Sequence, residues 1–194
     1  MKQLGRTFRH TLLMAAALAS LLSLLPLMLV IGFLIKIDSS GPVIHWSRRV
    51  GFGGVEFRMP KFRTMHLHVP LVETAKIECP ELCITRIGRY LRLWSLDELP
   101  QIFSILFGDM SLIGYRPALY NQHELIRNRN ILGIHLHKPG LTGLAQIKGR
   151  DMISDRNKLR YEFYYALNKS SIRLNAMIIC STIKMVISRR GISH

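Results

Sequence analysis

Acidic side chains are scarce in this sequence: 12 Asp and Glu stand against 27 Lys and Arg, a formal net charge of +15 over 194 residues. Such an imbalance points to an anionic partner, whether nucleic acid, anionic lipid head groups or a phosphorylated substrate. Cysteine is equally sparse. Cys79, Cys83 and Cys180 are odd in number, which argues against a disulfide framework and leaves reduced thiols as the default. The Cys79/Cys83 pair is followed by no second Cys/His pair at ligand spacing, so it does not read as a zinc site. Repeats and low-complexity linkers are absent after residue 37, and residues 38–194 therefore read as one domain.

Charge is missing altogether between Thr11 and Ile35. A helix over that run rises about 37 Å, enough to cross a hydrocarbon core of about 30 Å. Lys2, Arg6 and Arg9 precede it, and the ALAS segment resembles a cleavage site, but the apolar run continues well past a signal-peptide core. Basic residues lie on both flanks, with Lys36, Arg48 and Arg49 following, so the positive-inside rule gives no single orientation. Pro26 falls in the middle, where it removes one backbone hydrogen bond, and Ser20 and Ser23 stand ready to satisfy freed carbonyls. Residues 1–37 are thus expected to form either a kinked span or a helix–break–helix that enters and leaves by one face.

Beyond that segment, DSSGP (38–42) is turn material, and VIHWSRRV and VEFRM flank a GFGG turn as a β-hairpin. TRIGRYLRLW (85–94) is helical by propensity, with Arg86, Arg89 and Arg92 at one-turn spacing on one face. ELPQIFSILFG (98–108) reads as a second short helix ending at Gly108. IRLNAMIICSTIKMVISRR (172–190) reads as an apolar helix for a core or a membrane interface. The expected class is α/β: a small, mainly helical domain with a short β-hairpin, behind an N-terminal membrane-inserted helix.

In so basic a chain, the adjacent acids of WSLDELPQ (94–101) stand out. The plain reading makes Asp97 a helix N-cap and Glu98 a first-turn acid favoured by the helix dipole. Their surroundings suggest more. Arg86, Arg89, Arg92 and Arg116 lie within twenty residues, Lys61 and Arg63 come earlier, and Lys138, Lys148 and Arg150 follow, interleaved with Gly, Pro and apolar residues. An Asp among guanidiniums stays ionised and can act as a nucleophile. A neighbouring Glu can help hold Mg²⁺, which takes one or two carboxylates together with substrate phosphates. Arginines supply bidentate phosphate contacts. Together these features describe phosphoryl chemistry at a lipid interface.

The ordered motifs DSSGPV, RRVGFGG, KFRTM, TRIGRYLR, SLDELPQ, GDMSLIGYRP and KPGLTGLAQIKGR, over residues 38–150, resemble the bacterial sugar transferase family, the monotopic phosphoglycosyl transferases. The resemblance implies transfer of a sugar-1-phosphate from a UDP-sugar to polyprenyl phosphate with release of UMP, at the cytoplasmic face of the bacterial inner membrane. It implies Asp97 as nucleophile, Glu98 as the Mg²⁺-associated acid, and Arg92 and Arg116 as phosphate ligands, with Lys61 and Arg63 assigned phosphate contacts beside them. It also implies that the N-terminal segment is re-entrant, broken at Pro26. Several positions depart from the family pattern: Leu25 precedes that proline in place of Ser, Tyr115 stands in the loop of Arg116, and His66 and His68 follow KFRTM. Glu162 replaces an Asp, and Leu174-Asn175 stands where an acid is usual. No motif identifies the sugar or the oligomeric state. A tethered, noncatalytic polyanion-binding protein is the competing class; it accounts for charge and anchor, but nucleic-acid binding leaves the ordered Gly- and Pro-bearing motifs unexplained.

Overall fold

The computed structural model describes residues 2–67, 80–149 and 153–188, with side chains from Leu18 onward in the first stretch. Cys79, His68 and Arg150 lie outside the described residues. The chain begins with α1 (Lys2–Asp38), followed by β1 (Ile44–Val50), a 3₁₀ turn at Phe52–Gly54 and β2 (Glu56–Phe62). Then come α2 (Pro80–Cys83), α3 (Arg86–Leu93), a 3₁₀ segment at Leu96–Gln101, α4 (Ile102–Leu106), β3 (Ser111–Ile113) and β4 (Ala118–Leu119). The remainder is α5 (His123–Ile131), a 3₁₀ turn at Ile134–Leu136, β5 (Gly140–Thr142), α6 (Leu144–Gly149), α7 (Asp155–Asn168) and α8 (Ile172–Ser188). The described residues are thus mainly helical with little sheet, as expected.

The predicted hairpin is present. β1 and β2 pair antiparallel from Ile44 opposite Phe62 to Val50 opposite Glu56, and β4 adds a short third strand on the free edge of β1. Gly53 and Gly54 take positive φ in the connecting turn, the conformation that a glycine-rich tip supplies without a Cβ penalty. A separate parallel pair, β3 with β5, was not legible in the sequence, because each strand has only three residues. It depends on close backbone approach: a Cβ on Gly140 would overlap Gly114, and one on Gly143 would overlap the Gly114 carbonyl. The pair carries the loop that leads from Gly114 to Arg116.

α1 is helical throughout Lys2–Asp38, and Pro26 lies inside it rather than at an interruption. The Ser23 hydroxyl donates to the Ser20 carbonyl at 3.0 Å, a local bond of the kind expected near a proline. Past Pro26 the helix joins the domain core: Met28, Ile31 and Ile35 are buried with Phe62 and Leu91, and Val43, Ile87, Leu99 and Phe103 pack around them. The compositional boundary at residue 37 is therefore not a packing boundary. The spacing of Met28, Ile31 and Ile35 forms one narrow stripe. The other faces of the helix stay apolar and uncovered, with Leu22, Leu29, Phe33 and Ile37 each more than 60% exposed. Leu18–Asp38 is long and apolar enough to cross a membrane.

Two side chains cap the start of α3, and one of them comes from α1. Thr85 accepts from the Gly88 N–H at 3.0 Å, and the Asp38 carboxylate at the end of α1 accepts from the Ile87 N–H at 2.9 Å. Gly88 lies against the backbone of Thr64, where any Cβ would overlap the Thr64 carbonyl oxygen. This contact brings α3 onto the end of β2 and aims its last turn at the acidic pair.

Candidate active site

Asp97 is not the N-cap that its position before ELPQ suggests. α3 ends at Leu93, and Ser95 turns the chain in the left-handed region, with φ 54°, the one positive φ at a non-glycine among the described residues. The next helical segment then starts at Leu96, which places Asp97 and Glu98 in its first turn. Pro100, fifth in that register, has no N–H for an α-helical bond to Leu96. The segment is accordingly a tight 3₁₀ stretch, with the Glu98 N–H on the Ser95 carbonyl at 3.3 Å, and α4 proper begins only at Ile102. The single helix expected over 98–108 is thus two, ending as anticipated at Gly108, which has φ 85°.

Three of the expected cations converge on this turn. Lys61 Nζ donates to Glu98 Oε1 at 2.8 Å, and Arg116 Nη2 donates to the same oxygen at 3.0 Å. Arg92 Nε donates to Thr64 Oγ1 at 2.9 Å, which holds its guanidinium near Asp97. The three arrive from different elements: Lys61 from β2, Arg92 from the last turn of α3, and Arg116 from the loop after β3. Thr64 is a participant that sequence reasoning passed over, although it lies inside the KFRTM motif. Arg86 and Arg89 share the sequence face of Arg92 but are exposed, as are Lys138 and Lys148.

The pair is electrostatically asymmetric. Burial pushes the Asp97 carboxyl above its ordinary value and the Glu98 charge pushes the same way, while Lys61, Arg92 and Arg116 oppose them. Burial opposes ionisation of Glu98 too, but Arg116 and Lys61, both hydrogen-bonded to it, bring it well below the usual carboxylate range. Glu98 is thus the firmly ionised member, and Asp97 is the one held in tension between desolvation and cations. Among the described residues no three His, Cys, Asp or Glu side chains group closely enough to enclose a metal ion by themselves. Both cation contacts to Glu98 fall on Oε1, so a cation at this carboxylate would meet Oε2 or the Asp97 oxygens.

Arg63 does not join this cluster. Its guanidinium donates to the Ser40 carbonyl, to the Ser39 carbonyl at 2.7 Å and to the Ser39 hydroxyl at 3.0 Å, on the side of the strand that faces the end of α1. Lys61 lies within β2, whereas Arg63 falls just past the strand's end at Phe62, where strand alternation no longer keeps the two side chains on one face.

Behind the Arg116 loop lies a buried polar cluster. Arg129 on α5 and Glu162 on α7 form a two-pronged ion pair at 2.9 and 2.7 Å, each side chain 1% exposed. The Arg129 guanidinium lies 4.9 Å from the centre of the Tyr115 ring, and the His135 ring packs against the same ring in a tilted arrangement, 5.4 Å between centroids. Two residues noted separately in the sequence, Tyr115 and Glu162, therefore meet through Arg129. Burial pushes the Tyr115 hydroxyl up and holds the His135 imidazole down at about 4, with the Arg129 charge adding to the effect on His135. His135 is accordingly neutral at physiological pH. Asn175 of the Leu174-Asn175 pair accepts from Tyr165 at 3.1 Å and donates to the Lys169 carbonyl, a helix-junction role away from the acidic pair.

A family model described as bacterial sugar transferase matches residues 4–189. Among curated relatives, a UDP-glucose:undecaprenyl-phosphate glucose-1-phosphate transferase of Xanthomonas campestris pv. campestris is 38% identical over 90% of this chain and 37% of its own length. A UDP-N-acetylgalactosamine-undecaprenyl-phosphate N-acetylgalactosaminephosphotransferase of Aeromonas hydrophila is 36% identical over 86% of this chain and 40% of its own. The exopolysaccharide production protein ExoY of Rhizobium meliloti (strain 1021) is 32% identical over 98% of this chain and 90% of its own. The chain spans well under half the length of the first two relatives and nearly the whole of the third. With an acidic pair, three converging cations and a family match across nearly its full length, this chain belongs to the bacterial sugar transferases.

Proposed function

We propose that this chain transfers a sugar-1-phosphate from a UDP-sugar to polyprenyl phosphate, through a covalent phosphosugar–aspartate intermediate. The observation that carries the reading is the convergence of Lys61, Arg92 and Arg116 on the Asp97–Glu98 turn. An Asp97 oxygen attacks the sugar-bearing phosphorus of the donor, a P–O bond forms, and the bond to UMP breaks. An oxygen of polyprenyl phosphate then attacks the same phosphorus, the bond to Asp97 breaks, and the free carboxylate returns. Arg116 and Arg92 orient the diphosphate and stabilise charge on its oxygens. Lys61 serves the same charge while tethering Glu98. Glu98, with substrate phosphate oxygens, would hold Mg²⁺, which supplies charge neutralisation on the diphosphate.

Purified protein supplied with a panel of UDP-sugars, Mg²⁺ and polyprenyl phosphate is expected to release UMP with at least one donor. Release by none, alongside DNA binding with a steep salt dependence, would favour a polyanion-binding protein instead. The acid limb of the pH–rate profile follows Asp97, which must be ionised to attack. Its pKa lies above the ordinary value, so activity falls as pH drops through that raised value. Lys61 is one of the charges holding it down. In Lys61→Met the acid limb therefore moves to higher pH, in addition to any loss of rate; a limb that stays in place removes Asp97 as its source.

The uncovered apolar faces of α1 support insertion of residues 1–37 into the inner membrane, with the domain on the cytoplasmic face. Both basic flanks stay on that face if the helix bends at Pro26, where no N–H restrains it. A cysteine at the amino terminus is then expected to react with an impermeant reagent only after the cells are permeabilised. Labelling from the periplasm would establish a span.

A further inference from the structure

Arg63 is 4% exposed, and its guanidinium is bonded to the last backbone carbonyls of the segment that leaves α1. Its own N–H donates to the Val43 carbonyl at 2.9 Å, so side chain and backbone both tie the end of β2 to this exit. The exit is shaped around it. Gly41 has φ +115°, and a Cβ there would overlap Arg63 Nη1. One residue before the bonded serines, Asp38 caps α3, the helix that carries Arg92. Two residues before Arg63, near the end of β2, Lys61 holds Glu98. The end of the apolar helix is therefore linked by short, stiff routes to two of the three cations at the acidic pair.

We propose that Arg63 is a positioning residue that pins the end of α1 to the strand carrying Lys61, and so fixes the height of the acidic pair at the membrane surface. The inference rests on the transferase reading above and extends it. The donor diffuses from solution, whereas the acceptor phosphate is held at the bilayer surface by its chain. Loosening the pin changes access of the second substrate and leaves the first untouched.

The test uses the full chain in nanodiscs containing polyprenyl phosphate, with two variants: Arg63→Met, which removes the pin, and Gly41→Ala, which crowds it and leaves every charge in place. Expected in both is a UMP burst without acceptor whose donor KM stays within about twofold, with an acceptor KM raised about tenfold or more. A soluble short-chain prenyl phosphate in detergent should largely relieve the defect. A raised donor KM or a lost burst in Arg63→Met, with Gly41→Ala unaffected, makes Arg63 a phosphate ligand and overturns the proposal. Equal loss with both acceptors makes it purely structural. A spin label at Trp46→Cys, on a background with the three native cysteines replaced, reads depth without turnover. The proposal expects its depth to shift in both variants, and an unchanged depth overturns it. If wild-type protein releases no UMP from any donor, the transferase reading fails, and the depth measurement alone decides the role of Arg63.

Discussion

Asp97→Asn is expected to lower UMP release and lipid-linked product by about a thousandfold or more, the scale of loss when a covalent nucleophile is removed. The replacement keeps size and shape but cannot form the acyl phosphate bond. Folding should be unaffected. Asp97 lies in a turn that Ser95 and Pro100 shape by backbone geometry, and the hydrogen-bonded ion pairs of Lys61 and Arg116 beside it run to Glu98. Matched circular dichroism spectra and melting curves, with membrane binding retained, would separate lost chemistry from lost structure. Glu98→Gln is the informative contrast. It removes the negative charge that Lys61 and Arg116 share, so its defect should include a raised donor KM, whereas Asp97→Asn should still bind donor.

The largest expected effect on stability lies at the Arg129–Glu162 pair. With both side chains 1% exposed, removing either partner leaves a buried group uncompensated, at a cost of about 3–5 kcal/mol. Glu162→Gln or Arg129→Met alone should therefore unfold at markedly lower denaturant concentration. The double variant Arg129→Met/Glu162→Leu should recover much of that loss, because apolar side chains of similar volume replace a desolvated pair at little net cost. Since Tyr115 packs against Arg129 and precedes Arg116, the double variant should regain stability but keep a raised donor KM. Recovery of both would confine the pair to a structural role. A double variant no more stable than the single ones would contradict the buried-pair account itself.

Much of this was legible in the residues. Gly-containing turns between alternating strands gave away the hairpin, and the rarity of acids in a basic chain made the Asp97–Glu98 pair conspicuous. The ordered motifs pointed to Lys61, Arg92 and Arg116, and the structure brings these three to one turn. What the sequence hid follows from physics that acts at a distance along the chain. The 3₁₀ register of Leu96–Gln101 depends on a left-handed Ser95, a conformation that serine seldom adopts and no local pattern announces. Arg63 looked like a fourth phosphate ligand beside Lys61, Arg92 and Arg116 because spacing alone cannot show which way a side chain at the strand end turns. The β3–β5 pair is too short to signal itself, and its close approach is visible only once Gly114, Gly140 and Gly143 are brought together. Tyr115 and Glu162 stood out singly, but the residue that joins them, Arg129, carries no sequence signature.

The central claim is the covalent role of Asp97, and mass spectrometry of the trapped enzyme tests it most directly. Protein incubated with a productive UDP-sugar and Mg²⁺ in the absence of polyprenyl phosphate, then quenched and digested, should yield a peptide carrying the mass of one sugar phosphate at Asp97. Addition of polyprenyl phosphate before the quench should discharge it. An unmodified Asp97 peptide under conditions of rapid UMP release, or an adduct on another residue that Asp97→Asn leaves intact, would contradict the account.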